Sequence, residues 1–110
     1  MQTLKSKKEY DRLRLSSQKI FGKYFLFVYI IDELLTDSKA GITVSKKVGN
    51  AVIRNKIKRR LRVVLFQYQQ PDRLNKFFIC NFIALKPAAF ASWIDFKSDV
   101  INILDRLCSY

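Results

Sequence analysis

The sequence predicts a small single-domain α/β sandwich, ordered helix, strands, long basic helix, strand, helix over residues 1–110. Three observations carry that reading. Two aromatic and β-branched runs, Tyr24 to Ile31 and Phe77 to Leu85, are short enough for buried strands and too apolar for loops. Between and after them, apolar residues recur at three and four positions, the spacing of amphipathic helices. The chain has 110 residues, 49% hydrophobic and 14% aromatic, which suffices for one core but not for several domains.

The first element is a short helix over 7–14. Ser6 and Glu9 stand in the spacing of a capping box, with Tyr10, Leu13 and Ile20 supplying apolar contacts and Ser16-Ser17 ending the helix. Tyr24 to Ile31 is rich in β-formers and reads as a buried strand. Asp32 to Lys39 is a polar connection. Residues 41–46 alternate apolar and polar, predicting a second strand with Ile42 and Val44 inward. Gly49-Asn50 opens the long helix, whose stripe is Ile53, Ile57, Leu61, Val64, Leu65 and Tyr68. It stops near Gln70, because Pro71 disfavours the helical conformation before it. After the strand at 77–85, Ser92 to Asp95 reads as a cap. Trp93, Phe96, Val100, Ile101, Leu104 and Leu107 then follow helical spacing. The strand–helix–strand unit spanning 41–85 requires its two strands to run parallel, and such crossovers are right-handed by strong default.

Charge narrows the function. Twenty-one Lys and Arg against nine Asp and Glu leave +12 on 13.0 kDa. Self-repulsion of that size opposes a compact state unless a polyanion relieves it, which points to nucleic acid, an anionic membrane or an acidic protein. No run approaches the length of a membrane span, and Met1 to Lys5 has no apolar run behind it, so neither membrane insertion nor a signal peptide is expected. Cys80 and Cys108 make no disulfide framework, and the expected compartment is the cytoplasm.

The charge is concentrated. From Ser45 to Arg62 the chain carries Lys46, Lys47, Arg54, Lys56, Lys58, Arg59, Arg60 and Arg62 and no acid. At about 100° per residue, Arg54, Lys58 and Arg62 form one ridge beside the apolar stripe. Asn55 and Arg59 form the next, with Lys56 and Arg60 toward the other flank. Like charges four apart destabilise a helix, and a merely solvated face would intersperse acids. The spacing instead suits phosphates, which arginine forks pair bidentately. The helix start at Gly49-Asn50-Ala51 adds free amides and the positive end of the helix dipole. Tyr10, Phe25, Phe27 and Tyr29 are candidate platforms for unpaired bases, although an aromatic in a strand run is usually interior.

Nothing in the sequence supports protein-borne catalysis. There is no His. Glu9, Asp11, Asp32, Glu33, Asp37, Asp72, Asp95, Asp99 and Asp105 show no paired motif for two metal ions, and their one cluster, Asp32 to Asp37, reads as a solvated loop. No catalytic residue and no metal ligand is expected.

The run Lys46-Lys47-Val48-Gly49-Asn50-Ala51-Val52-Ile53-Arg54-Asn55-Lys56-Ile57-Lys58-Arg59-Arg60-Leu61-Arg62 resembles the signature of the bacterial ribonuclease P protein family. The resemblance extends over nearly the whole chain, from the Leu-Lys-Ser start to Lys86-Pro87-Ala88 before the last helix. It implies an α/β sandwich with a left-handed βαβ crossover, against the usual default. It implies as partners the catalytic RNA of ribonuclease P and precursor tRNA, with no membrane and no small-molecule substrate. The implied joint reaction is endonucleolytic removal of the 5′ leader, dependent on Mg held mainly by RNA and substrate. Carried onto this sequence, Arg54, Asn55, Lys58, Arg59 and Arg62 contact RNA. Lys46, Lys47 and Asn50 extend that surface, and Lys56 replaces a common arginine, keeping charge without the fork. Tyr10 matches an aromatic of a leader-binding cleft between the basic helix and the sheet. Arg14 stands where a second aromatic is frequent, which makes the expected grip more electrostatic. The competing classes are a structural RNA-binding protein such as a ribosomal one, an autonomous nuclease, and a membrane-surface protein.

Overall fold

The computed structural model describes residues 2–68 and 77–109. A mixed five-stranded sheet forms from β1 (Gln2–Thr3), β2 (Gln18–Phe21), β3 (Phe25–Ile31), β4 (Lys39–Thr43) and β5 (Phe78–Ala84), in spatial order β1-β4-β5-β3-β2. Three helices flank it: α1 (Lys7–Ser16), α2 (Ala51–Gln67) and α3 (Trp93–Cys108), with a 3₁₀ turn at Lys86–Phe90 before α3. The small α/β sandwich expected from the sequence is the observed class.

β5 is the centre of the sheet. It runs antiparallel to β3, with Phe27 opposite Phe82, and parallel to β4, with Ile42 opposite Phe82. The parallel β4-α2-β5 unit is therefore present. Period-two alternation sends the two faces of each strand to different partners. Phe25, Phe27, Tyr29, Phe78, Cys80 and Phe82 pack against Ile57, Leu61 and Val64 of α2 and against Phe96, Val100, Leu104 and Leu107 of α3. Edge-on contacts tie these rings together, Phe25 lying 5.8 Å from Phe82 and 5.3 Å from Phe96. On the opposite face Val28 and Ile79 meet Leu4 and Leu13, with Tyr10 at the margin.

Several expectations are corrected. α1 runs two residues beyond 14, and its capping box does not form. Ser6 makes no side-chain cap bond, and Glu9 turns instead to Lys39 at 3.6 Å. Ile20 belongs to β2, an unforeseen strand, and packs on the α2/α3 face rather than with α1. The second strand spans Lys39–Thr43 rather than 41–46, so Val44 is buried just past its end. Phe25, Phe27 and Tyr29 are interior and offer no stacking surface. α2 ends at Gln67, with Tyr68 as C-cap; the proposed stop at Gln70 and Pro71, and Asp72, lie outside the described residues. The Ser92 cap forms as expected, its hydroxyl accepting from the Asp95 amide at 3.2 Å.

Candidate nucleic-acid interface

α2 presents its basic ridge because its opposite stripe is fully used. Ile57, Leu61 and Val64 are buried, and Ile53, Leu65 and Tyr68 pack at the edge of the same cluster. The remaining circumference must face outward. Its start is fixed by two devices. Asn50 Oδ1 accepts from the Ile53 amide at 3.0 Å. Gly49 lies so close to Ile53 that a Cβ there would sit 2.8 Å from Cγ2. Asn50 thus serves as N-cap, in keeping with the expectation that Gly49-Asn50 opens the helix.

Asn55, Lys56, Arg59 and Arg62 are exposed, Arg54 and Lys58 half-buried, and Lys46 and Lys47 exposed on the turn before the helix. Among the described residues the ion pairs are Arg12–Asp32, Arg14–Asp11 and Lys39–Glu9, so no acid neutralises any of these cations. Among the described residues, Arg54 Nε is buried without a hydrogen-bond acceptor, and leaving such a donor unmatched carries a desolvation cost. Arg60 differs from its neighbours. Its guanidinium donates to the Ala91 carbonyl at 3.1 Å and lies over the Trp93 and Phe96 rings, tying α2 to α3.

Beside the ridge lies a groove of about 550 Å³ in which Lys58 and Arg62 meet Tyr10, with Gln2, Thr3, Ala40, Ile42, Leu65, Phe66 and Tyr68 completing its walls. It exists because β1 pairs only Gln2 with Lys39 and Thr3 with Ala40, so that among the described residues no strand covers the rest of the β4 edge. Tyr10 is seated over Gly41, where a Cβ would collide with the phenolic oxygen and lie 2.9 Å from Cζ. The phenol donates to the Leu4 carbonyl at 3.3 Å, and burial, with a smaller contribution from Cys80, raises its pKa. Tyr68 at the far wall donates to Asp105 Oδ1 at 3.1 Å and lies 3.4 Å from Cys108 Sγ. Burial first, and then these two neighbours, raise its pKa as well. Both phenols are therefore neutral and fixed at physiological pH.

Tyr10, Lys58 and Arg62, singled out from the sequence on different elements, are thus brought together. Arg14 is not part of the groove wall; it is exposed and bonds Asp11 at 3.1 Å. Phe66, 90% exposed at the groove, was not foreseen. Its signal was available: it is the aromatic of α2 that falls off the buried stripe. Among the described residues no three His, Cys, Asp or Glu gather where they would hold a metal ion. Asp32, in the acidic loop, instead accepts from Arg12 and the Leu34 amide. No described helix is long and apolar enough to cross a membrane.

Comparison with known proteins agrees in sequence and in fold. The ribonuclease P family model matches residues 1–108. A ribonuclease P protein component from Streptococcus gordonii is 35% identical over 104 residues, covering 94% of this chain and 82% of its own. One from Nitratiruptor is 32% identical over 107 residues, covering 97% and 93%. The solved RNase P protein of Staphylococcus aureus superposes with a TM-score of 0.78 at 26% identity, covering 97% of this chain and 95% of that one. That of Thermotoga maritima shares the fold with a TM-score of 0.79 at 20% identity, covering 96% and 97%. Matched along almost its entire length by sequence and by architecture, the chain belongs to the ribonuclease P protein family, whose members are protein subunits of a tRNA-processing endoribonuclease.

Proposed function

We propose that this chain binds the catalytic RNA of ribonuclease P through the α2 ridge and holds the 5′ leader of precursor tRNA in the adjoining groove. The observation that carries the reading is the meeting of Tyr10 with Lys58 and Arg62 in one groove at an open sheet edge. A single strand needs a flat ring for a base and cations for its phosphates, and the groove supplies both.

Three actions of the chain follow. Lys46, Lys47, Asn55, Lys56 and Arg59 face outward without acids and reduce phosphate repulsion where RNA segments converge. Asn50 holds the start of the helix that carries them. Lys58 and Arg62, with Tyr10 and Phe66, extend the substrate contact beyond the tRNA body and fix the leader's path. Arg54, with a donor already removed from water, gains most from an anionic partner. Mg, the expected cofactor, would be held mainly by RNA and substrate and would supply charge stabilisation at the scissile phosphate. Catalysis is carried by RNA, and the setting is the cytoplasm.

The test is cleavage of precursor tRNA with a radiolabelled 5′ leader at low Mg, using the RNA with and without this protein and a protein-only lane. Leader release that needs both components supports the reading. Cleavage by protein alone overturns it in favour of an autonomous nuclease. Absence of stimulation with a competent cognate RNA leaves a structural RNA-binding protein. Arg54→Ala with Arg62→Ala is expected to weaken RNA binding and flatten its salt dependence; an unchanged slope counts against the ridge.

A further inference from the structure

Arg60, about 200° around α2 from Lys58, holds the Ala91 carbonyl, and a second recess lies beside Ala91. It measures about 510 Å³ and is lined by Lys23, Tyr24, Lys86, Pro87, Phe90 and Ala91. Phe90 is 88% exposed, and Ile94, four residues further along the chain, 75%. Exposed apolar residues clustered this way, with cations at the rim, mark interaction sites.

The recess is preformed. Asp99 accepts from the Lys23 and Tyr24 amides at 2.7 and 2.9 Å, fixing one wall. The Leu85 amide donates to the Tyr24 carbonyl at 2.9 Å, and Ala88 N–H to the Leu85 carbonyl at 2.9 Å, locking the 3₁₀ turn against that wall. Arg60 pins the Ala91 carbonyl from α2. Lys23 Nζ lies 5.4 Å from the Tyr24 ring centroid, and among the described residues no acidic side chain lines the recess.

We propose that this recess takes an unpaired nucleotide of the catalytic RNA, its base against Phe90 and Pro87 and its phosphate between Lys23 and Lys86. The proposal rests on the reading that a catalytic RNA is the partner. Charge complementarity selects the occupant: two lysines beside an exposed aromatic match an anion joined to a flat ring. The position selects the catalytic RNA over the leader, because the leader groove opens beside Lys58, on the flank of α2 away from Arg60. The protein then grips its RNA at two places with the basic helix between them.

The experiment measures binding to ribonuclease P RNA alone, across a salt series, by filter retention and by the fluorescence of Trp93, the single tryptophan, at the edge of this surface. Phe90→Ala is expected to weaken binding by about 5- to 160-fold with an unchanged salt slope, as loss of one stacked base does. Phe90→Tyr retains affinity. Lys23→Gln with Lys86→Gln reduces the slope by about 1. Phe90 is too exposed for its loss to unfold the chain, and a thermal melt checks this. Wild-type affinity in the Phe90→Ala variant, with loss in Arg54→Ala/Arg62→Ala, overturns the recess and leaves the ridge standing. A defect confined to precursor tRNA, or only to self-association of the protein, also overturns it. If wild-type protein fails to bind the RNA, both readings fall together.

Discussion

Replacing Lys58 by Glu is expected to stabilise the free protein while impairing its RNA binding. Lys58 stands four residues from both Arg54 and Arg62, so it takes part in two repulsive contacts on one helix face. A like-charge pair at this spacing costs about 0.2–0.5 kcal/mol and an opposite pair returns about as much. Reversing the sign at position 58 changes both, giving about 1–2 kcal/mol before screening. Arg62 is exposed and the other two are half-buried, which reduces the gain to about 0.5–1 kcal/mol. For a chain of this length that raises the melting temperature by about 2–6 °C. Urea and thermal melts in 0.05 M salt should show the gain, and melts near 1 M salt should not, since the Debye length there is about 3 Å. The same variant should lose RNA affinity, with the log–log salt slope smaller by about 1. Lys58→Gln should give about half the stabilisation. A variant that melts no higher than wild type at low salt, or keeps its gain at high salt, would refute the claim that the ridge is electrostatically strained.

Three further perturbations test the groove and its supports. Gly41→Ala drives a methyl into the Tyr10 phenol; urea denaturation should show a loss of about 1–3 kcal/mol, largely restored by adding Tyr10→Ala, and leader binding should fall. Asn50→Ala should cost about 1 kcal/mol through the lost cap, whereas Asn50→Ser keeps the cap, so any RNA defect left in the Ser variant measures direct contact. Alkaline pH should destabilise the fold. Burial raises the pKa values of Cys80, Tyr10 and Tyr68 above their ordinary 9.0, 10.0 and 10.0, so their contribution is complete below those values and declines as unfolded thiol and phenols ionise. A melting midpoint that stays level from pH 8 to 10.5 contradicts this.

The elements legible in the sequence were those whose side chains all answer to one demand. β3 and β5 are buried on both faces or nearly so, and α2 and α3 each carry a full apolar stripe, so their apolar patterns were unambiguous. β1 and β2 were not legible. Gln2–Thr3 is held to β4 by main-chain bonds that leave no trace in side-chain choice. Gln18–Phe21 buries only Ile20 and exposes Phe21, too little alternation to register. β4 was shifted because Ile42 and Val44 keep strand periodicity past Thr43, where ladder pairing with β5 ends. The ridge was legible because its charges all lie on one helix. Half of the groove was not: Gln2, Thr3 and Ile42 enter it through the sheet edge, a consequence of where β1 stops. Arg60, left out of the expected RNA contacts, has a role that the sequence did not show. Within a run of basic residues it looks like its neighbours, yet its packing over Trp93 makes it part of the scaffold.

The placement of the charges on α2 has a physical rationale that joins fold to function. An isolated helix with cations at 54, 58 and 62 and others between them is poorly stable, because no acid offsets the repulsion. Burial of Ile57, Leu61 and Val64 against the sheet supplies the compensation, at about 1.5–3 kcal/mol for each fully buried side chain. The helix is therefore already formed when the partner arrives, and binding does not have to supply its ordering entropy. Repulsion retained in the free chain is released on contact with phosphate, so part of the affinity is stored in the fold itself. Stability of the free protein and affinity for RNA should accordingly move in opposite directions for any charge reversal on the ridge. They should move together for changes at Leu61 or Gly41, which support the same surface from beneath.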